Sequence, residues 1–148
     1  MRLLLLAVVL GVSLSGCRVY DLQDGPYQFT LKEVLRDDCG LATAPAVMST
    51  GVLTTTGALV NMKYGYLETE LVGAYLVDSQ AMMLDGFGAN VMTEVRGQTC
   101  LLDTAGIHIE THPASSTAFT GEMSIELNAK AATACVCKVW LTFEAKKK

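Results

Sequence analysis

Phe119-Thr120-Gly121-Glu122-Met123-Ser124-Ile125-Glu126-Leu127 alternates apolar or small residues with polar ones over nine positions. A period of two sets Phe119, Gly121, Met123, Ile125 and Leu127 on one side of an extended chain and Thr120, Glu122, Ser124 and Glu126 on the other. That predicts a strand with one buried and one wet face. The same period recurs on either side. Tyr27, Phe29 and Leu31 alternate with Gln28, Thr30 and Lys32, and Val60, Met62, Tyr64 and Tyr66 alternate with Leu59, Asn61 and Lys63. Val139, Leu141 and Phe143 alternate with Lys138, Thr142 and Glu144, leaving Trp140 as an aromatic on the wetter phase.

Turn-forming residues punctuate these runs: Asp37-Asp38-Cys39-Gly40, Thr56-Gly57, Asp78-Ser79, Arg96-Gly97, Pro113 with Ser115-Ser116, and residues 128–133. Eight strands are expected, near 26–36, 48–56, 58–66, 67–77, 80–95, 99–111, 117–127 and 134–144. Within 80–95, Asp85-Gly86-Phe87-Gly88 reads either as a bulge in one strand or as a turn between two. No window holds a 3.6-residue period over three turns, so helices should be short or absent. The fold class is all-β. An even strand count lets an eight-stranded antiparallel meander close into a barrel; an odd count favours a two-sheet antiparallel β-sandwich.

The chain has 148 residues, a formal net charge of -4 and 51% hydrophobic residues, the length of a single domain. Met1–Gly16 contributes eleven hydrophobic side chains and one charge, Arg2, so the other 132 residues carry ten basic against fifteen acidic groups. A mildly acidic domain is a poor binder of polyanions, which argues against nucleic acid as a partner. Hydrophobic content near half argues against disorder.

Arg2 followed by the apolar run Leu3–Leu14 has the layout of a secretory signal. As a helix the run would rise only ~18 Å, against a hydrocarbon core of about 30 Å. Leu14-Ser15-Gly16-Cys17 then resembles the lipobox of bacterial lipoproteins. That resemblance implies diacylglycerol on the Cys17 thiol, cleavage before Cys17 and acylation of the new amine. Two or three acyl chains make a durable anchor where one is marginal. The resemblance divides the chain into a signal peptide (1–16), a lipidated tether (17–25) and one β domain (26–148). The membrane is then a partner through the anchor, and the acyl lipid at Cys17 is the only covalent group expected, with no other cofactor. Arg18 stands where an inner-membrane lipoprotein of many Gram-negative bacteria has aspartate. That implies an envelope protein of the outer membrane, with the periplasmic and surface faces both open. The strand pattern and Gly25-Pro26-Tyr27 also resemble lipocalin-like barrels, with Tyr27 in place of the tryptophan of that family's Gly-x-Trp.

With Cys17 lipidated, Cys39, Cys100, Cys135 and Cys137 remain, an even set in an oxidising compartment. In an eight-strand meander all four gather at one end. Strand eight adjoins strand one, so Cys39 to Cys135 or Cys137 is the natural bridge, and Cys100 reaches the remaining cysteine only across a curled end. The opposite end then holds the tether and the tail Lys146-Lys147-Lys148. Near anionic lipid, each of those lysines would add roughly 1 kcal/mol to membrane binding.

His108, Glu110 and His112 share one face of a strand, and two imidazoles with a carboxylate are ligands for zinc or copper. Polar alternation against Ile107 and Ile109 explains the same spacing without a metal. Cys135-x-Cys137 reads as disulfide chemistry in a secreted domain, and Met82, Met83 and Met92 as core filler. There is no Gly-x-Ser-x-Gly, and Gly86-Phe87-Gly88 lacks the later glycine of a phosphate loop. The residues therefore favour a non-catalytic, lipid-anchored envelope protein that binds a small apolar ligand or a protein partner. Tyr64, Tyr66, Tyr75 and Phe119 are expected to point inward toward any cavity. The alternatives are a metal-binding or enzymatic protein built on His108, Glu110 and His112, and a purely structural lipoprotein.

Overall fold

Strands form where the period of two is strongest. The computed structural model describes residues 22–76 and 78–148. Its strands are β1 (Gly25–Asp37), β2 (Thr50–Thr56), β3 (Leu59–Tyr64), β4 (Thr69–Leu76), β5 (Ala81–Val95), β6 (Gln98–Ser115), β7 (Ala118–Asn128) and β8 (Cys137–Lys147). Single 3₁₀ turns at Tyr66–Glu68 and Thr133–Cys135 are the only helical segments among the described residues. Each strand pairs antiparallel with the next, and β8 pairs with β1 from Tyr27–Lys147 to Asp37–Val139, so the eight strands close into a ring. The expected lipobox and Cys17 lie outside the described residues.

The boundaries differ from the sequence reading where tertiary pairing overrides local signals. Residues 81–95 are one strand, and Gly86 sits inside its ladder opposite Ile107. Tyr66 and Cys135 belong to the 3₁₀ turns and not to strands. Pro113 is no turn residue: it lies in β6 opposite Phe119, with a register shift just after it. A proline lacks an amide donor, and a bulge near a strand end is one of the few places in a sheet that tolerates it.

The ring curls at glycines. Gly73 is in phase with buried Leu71 on β4, and Gly121 is in phase with Phe119 and Met123 on β7. A Cβ at Gly73 would lie 1.7 Å from the Met83 carbonyl oxygen, and one at Gly121 would lie 2.1 Å from that of Glu110. The neighbouring backbone comes so close only because the sheet coils sharply there, as strands must to close.

Inside the ring, side chains from both ends of the sequence meet. Phe29 of β1 packs against Phe143 of β8 (centroids 4.8 Å apart), Tyr64 of β3 (5.1 Å) and Phe119 of β7 (5.8 Å), and Tyr27 packs against Phe119 (5.1 Å). Tilted and edge-on pairs of this kind contribute about 0.5–1.5 kcal/mol each beyond the area they bury.

The two rims are closed differently. Where the chain joins the ring, Gln23 N–H donates to Ser116 O (2.9 Å), Tyr27 OH donates to Gln23 O (2.7 Å) and Lys148 N–H donates to Pro26 O (2.9 Å). The lysine tail thus lies beside the start of β1, at the rim opposite the disulfides, as the strand count predicts. At the other rim, the Asp37 carboxylate accepts the amides of Cys39, Leu41 and Ala42 (3.0–3.1 Å) and folds loop 38–49 inward, burying Leu41, Ala42 and Val47. Disulfides join Cys39 to Cys137 and Cys100 to Cys135, with Cα separations of 5.3 and 5.9 Å. The second bridge holds the end of the β5–β6 hairpin, whose Arg96 N–H donates to Cys39 O (2.9 Å) and whose guanidinium donates to Ala134 O (3.0 Å). This bent hairpin end is how Cys100 reaches across.

Two outcomes follow. Thiol labelling of the unfolded, non-reduced domain should find no free thiol among Cys39, Cys100, Cys135 and Cys137, and replacing either bridge by a serine pair should cost about 2–4 kcal/mol in denaturant unfolding. Gly73→Ala should destabilise by roughly 3 kcal/mol, at the upper end of overpacking, whereas Gly57→Ala meets no neighbouring atom and should cost only the roughly 1–2 kcal/mol of holding a Cβ at its φ of +62°.

Candidate functional site

Alternation along β6 buries Ile107, Ile109 and Thr111 and turns His108, Glu110 and His112 outward. The three share a face but do not converge. At about 3.4 Å per residue, side chains four apart on a strand rise roughly 14 Å from one another. His108 Nδ1 lies 2.7 Å from Asp85 Oδ1 of β5, and His112 Nδ1 lies 3.4 Å from Gln80 O. Glu110 stands opposite Glu122 of β7, whose Oε2 accepts from Trp140 Nε1 of β8 (3.0 Å). Among the described residues no group of three or more His, Cys, Asp or Glu side chains is arranged to hold a metal ion.

The ladders assemble this outer face in rows. One row runs Asp85, His108, Ser124, Trp140 and Arg36 across β5, β6, β7, β8 and β1; the next runs Met83, Glu110, Glu122, Thr142 and Glu33. Beside the first row, Phe87 lies over Gly106, where a Cβ would come 3.3 Å from its ring, and 79% of Phe87 remains exposed. Trp140 is 43% exposed. Small Gly106 and Ser124 lie between these aromatics and leave shallow, open grooves. One is lined by Phe87, Gly106, His108 and Glu126, and another by His108, Glu122, Lys138 and Trp140. Toward the near rim, Lys32 and then Lys146 hold the Glu144 carboxyl below the usual carboxylate range.

Chemically, this face offers aromatic anchors between hydrogen-bonding groups. The composition suits surface recognition, since exposed aromatics on a polar rim dominate contact energies. The sequence reading marked Trp140 as out of phase but did not single out Phe87. Its signal was present, because an apolar residue on the wet phase between two glycines is out of pattern.

The inward residues tell a second story. Tyr64 and Phe119 are completely buried in the aromatic cluster, Tyr66 is buried beneath the 3₁₀ turn, and Tyr75 is partly buried at the opposite rim. Tyr64 OH donates to Val47 O, and Tyr66 OH lies 3.5 Å from Thr93 Oγ1. Tyr64 and Phe119 each pack on Phe29 inside the ring; an eight-stranded ring is just wide enough for side chains to fill. No family model, curated protein or solved structure matches this chain.

Burial pushes the phenol of Tyr64 strongly upward, and raises those of Tyr66 and Tyr27 as well. A raised native value leaves stability intact below the free tyrosine value near pH 10. Stability is then lost as pH rises above it, because the unfolded chain releases those protons first. Ultraviolet titration should therefore show these phenols ionising late, together with loss of the fold above about pH 10. Normal titration of every tyrosine in folded protein would contradict the packing.

Proposed function

We propose that this protein is a non-catalytic, lipid-anchored lipoprotein of the cell envelope, held in the outer membrane through acyl chains on Cys17, that recognises a protein partner. Its β domain is read as a meander barrel of lipocalin-like architecture. The observation that carries the proposal is the short distance between Cys17 and the point where the chain is pinned to the ring. Leu22 is partly buried against the core and Gln23 is hydrogen-bonded to Ser116, so only residues 18–21 separate Cys17 in the sequence from the folded domain. Two disulfides fit an oxidising compartment.

A protein partner is favoured over a small apolar ligand because the aromatic cluster packs inside the ring. The face between Phe87 and Trp140 is the surface assigned to that partner, since it sets two exposed aromatics beside His108 and Lys138.

Cys17→Ser should leave an unprocessed or soluble precursor, and wild-type membrane fractionation of that variant would overturn the anchor. Native mass spectrometry after gentle purification should show the acylated chain with no small molecule retained, and Phe87→Ala with Trp140→Ala should abolish any co-purified partner. A retained metal ion would return the assignment to His108, Glu110 and His112, and a retained lipid would return it to the interior.

A further inference from the structure

We propose that the rim where the chain joins the ring is itself a membrane-contact surface, with Leu59 and Leu76 resting among the lipid headgroups and the disulfide rim directed away. The inference rests on lipid anchoring at Cys17 and adds an orientation to it. The geometry begins with length. Cys17 and Leu22 are five residue steps apart, at most ~18 Å of extended chain. Strand β8, with eleven residues, runs about 36 Å from the disulfide rim to the near rim. An anchor this short cannot carry the disulfide rim down to the bilayer while the near rim faces away.

The attachment is also not a free swivel. Three neighbouring elements hold the segment: Ser116 O accepts Gln23 N–H, Lys147 Nζ donates to Gln23 Oε1 (3.0 Å), and Asp24 Oδ1 accepts Thr55 N–H (2.9 Å) and Thr55 Oγ1–H (2.8 Å). Leu59 opens β3 and Leu76 closes β4 at this same rim, 58% and 44% exposed. Tyr75 N–H donates to Ala58 O (2.9 Å), tying the end of β4 to the β2–β3 turn and keeping the two leucines together.

Charge has a smaller part. Lys147 and Lys148 place their ammonium groups on neutral oxygens, Gln23 Oε1 and Thr50 Oγ1 (2.8 Å), while Lys146 is paired with Glu144. Asp24 and Asp78 flank the same rim, and Lys146 is already paired, so the rim's positive charge is largely offset. Dependence on anionic lipid should therefore be shallow, and contact should be carried by the leucines.

The test uses the full acylated chain in vesicles of phosphatidylcholine brominated on its acyl chains. In a Trp140→Phe background, which removes the only tryptophan, Leu59→Trp reports the near rim and Val136→Trp the disulfide rim, where Val136 is 45% exposed. Bromine should quench the tryptophan at 59 several-fold more than the one at 136, and little of that difference should disappear at high salt. Equal quenching, or stronger quenching at 136, would overturn the orientation while leaving the anchor standing. The mass of the Cys17 peptide separates the two claims: an unmodified Cys17 would overturn the anchor and the orientation with it.

Discussion

Tyr27 to Asp37 of β1 lie against Lys147 to Val139 of β8, and this seam between the two ends of the chain is what the rest of the structure depends on. Seven pairings form between sequence neighbours, most closing a short loop and β1–β2 closing one that spans residues 29–49. The eighth must close a loop of more than a hundred residues, and nothing local favours it. Its compensation is burial: Phe29 brings the first strand into contact with Phe143 and Phe119 from the last two, while Tyr64 reaches the same cluster from β3. The seam also contains the ladder's irregularities, with register shifts between Leu31 and Glu33 and between Val34 and Arg36. Bulges there add twist where the first strand must lean away from the ring.

Closure has consequences at both rims. At one, bringing β1 beside β8 places the start of the first strand against the end of the last, so a lipid anchor at Cys17 and the lysines of residues 146–148 would share a surface. At the other, it sets Cys39 within bonding distance of Cys137, and the long β5–β6 hairpin bends over to bring Cys100 to Cys135. The bend has a local cause. Asn90 has φ 55°, and inward residues change phase around it, from Met82, Leu84 and Gly86 to Val91, Thr93 and Val95. The partner strand changes phase at the same level, from Cys100 and Leu102 to Ala105 and Ile107, so the hairpin turns as a unit.

Aromatic side chains from β1, β3, β7 and β8 meet inside the ring. On the outer face, registry places side chains from five strands in rows. His108, Glu110 and His112 are conspicuous in sequence because they are close together in it. Phe87 and Trp140, fifty-three residues apart, line neighbouring grooves that share His108 and Ser124 only because β5 and β8 lie on either side of β6 and β7.

The strand period, the count of eight and the even set of cysteines were legible in the sequence, because alternation along a strand is a local property set by which side chains meet water. Local chemistry also marked most turns. It misjudged Pro113, Tyr66 and Cys135, where ladder pairing or a 3₁₀ turn outweighed the residue's own preference. Only the tertiary structure decided which cysteines pair, that loop 38–49 folds inward on the Asp37 carboxylate, and that Tyr64 and Phe119 pack as core. It also decided that the histidines look to Asp85 and Gln80 instead of to each other. Each of these depends on which strands lie side by side and at what register. A one-dimensional pattern carries the direction of a side chain, but the neighbour it meets is set by closure of the ring.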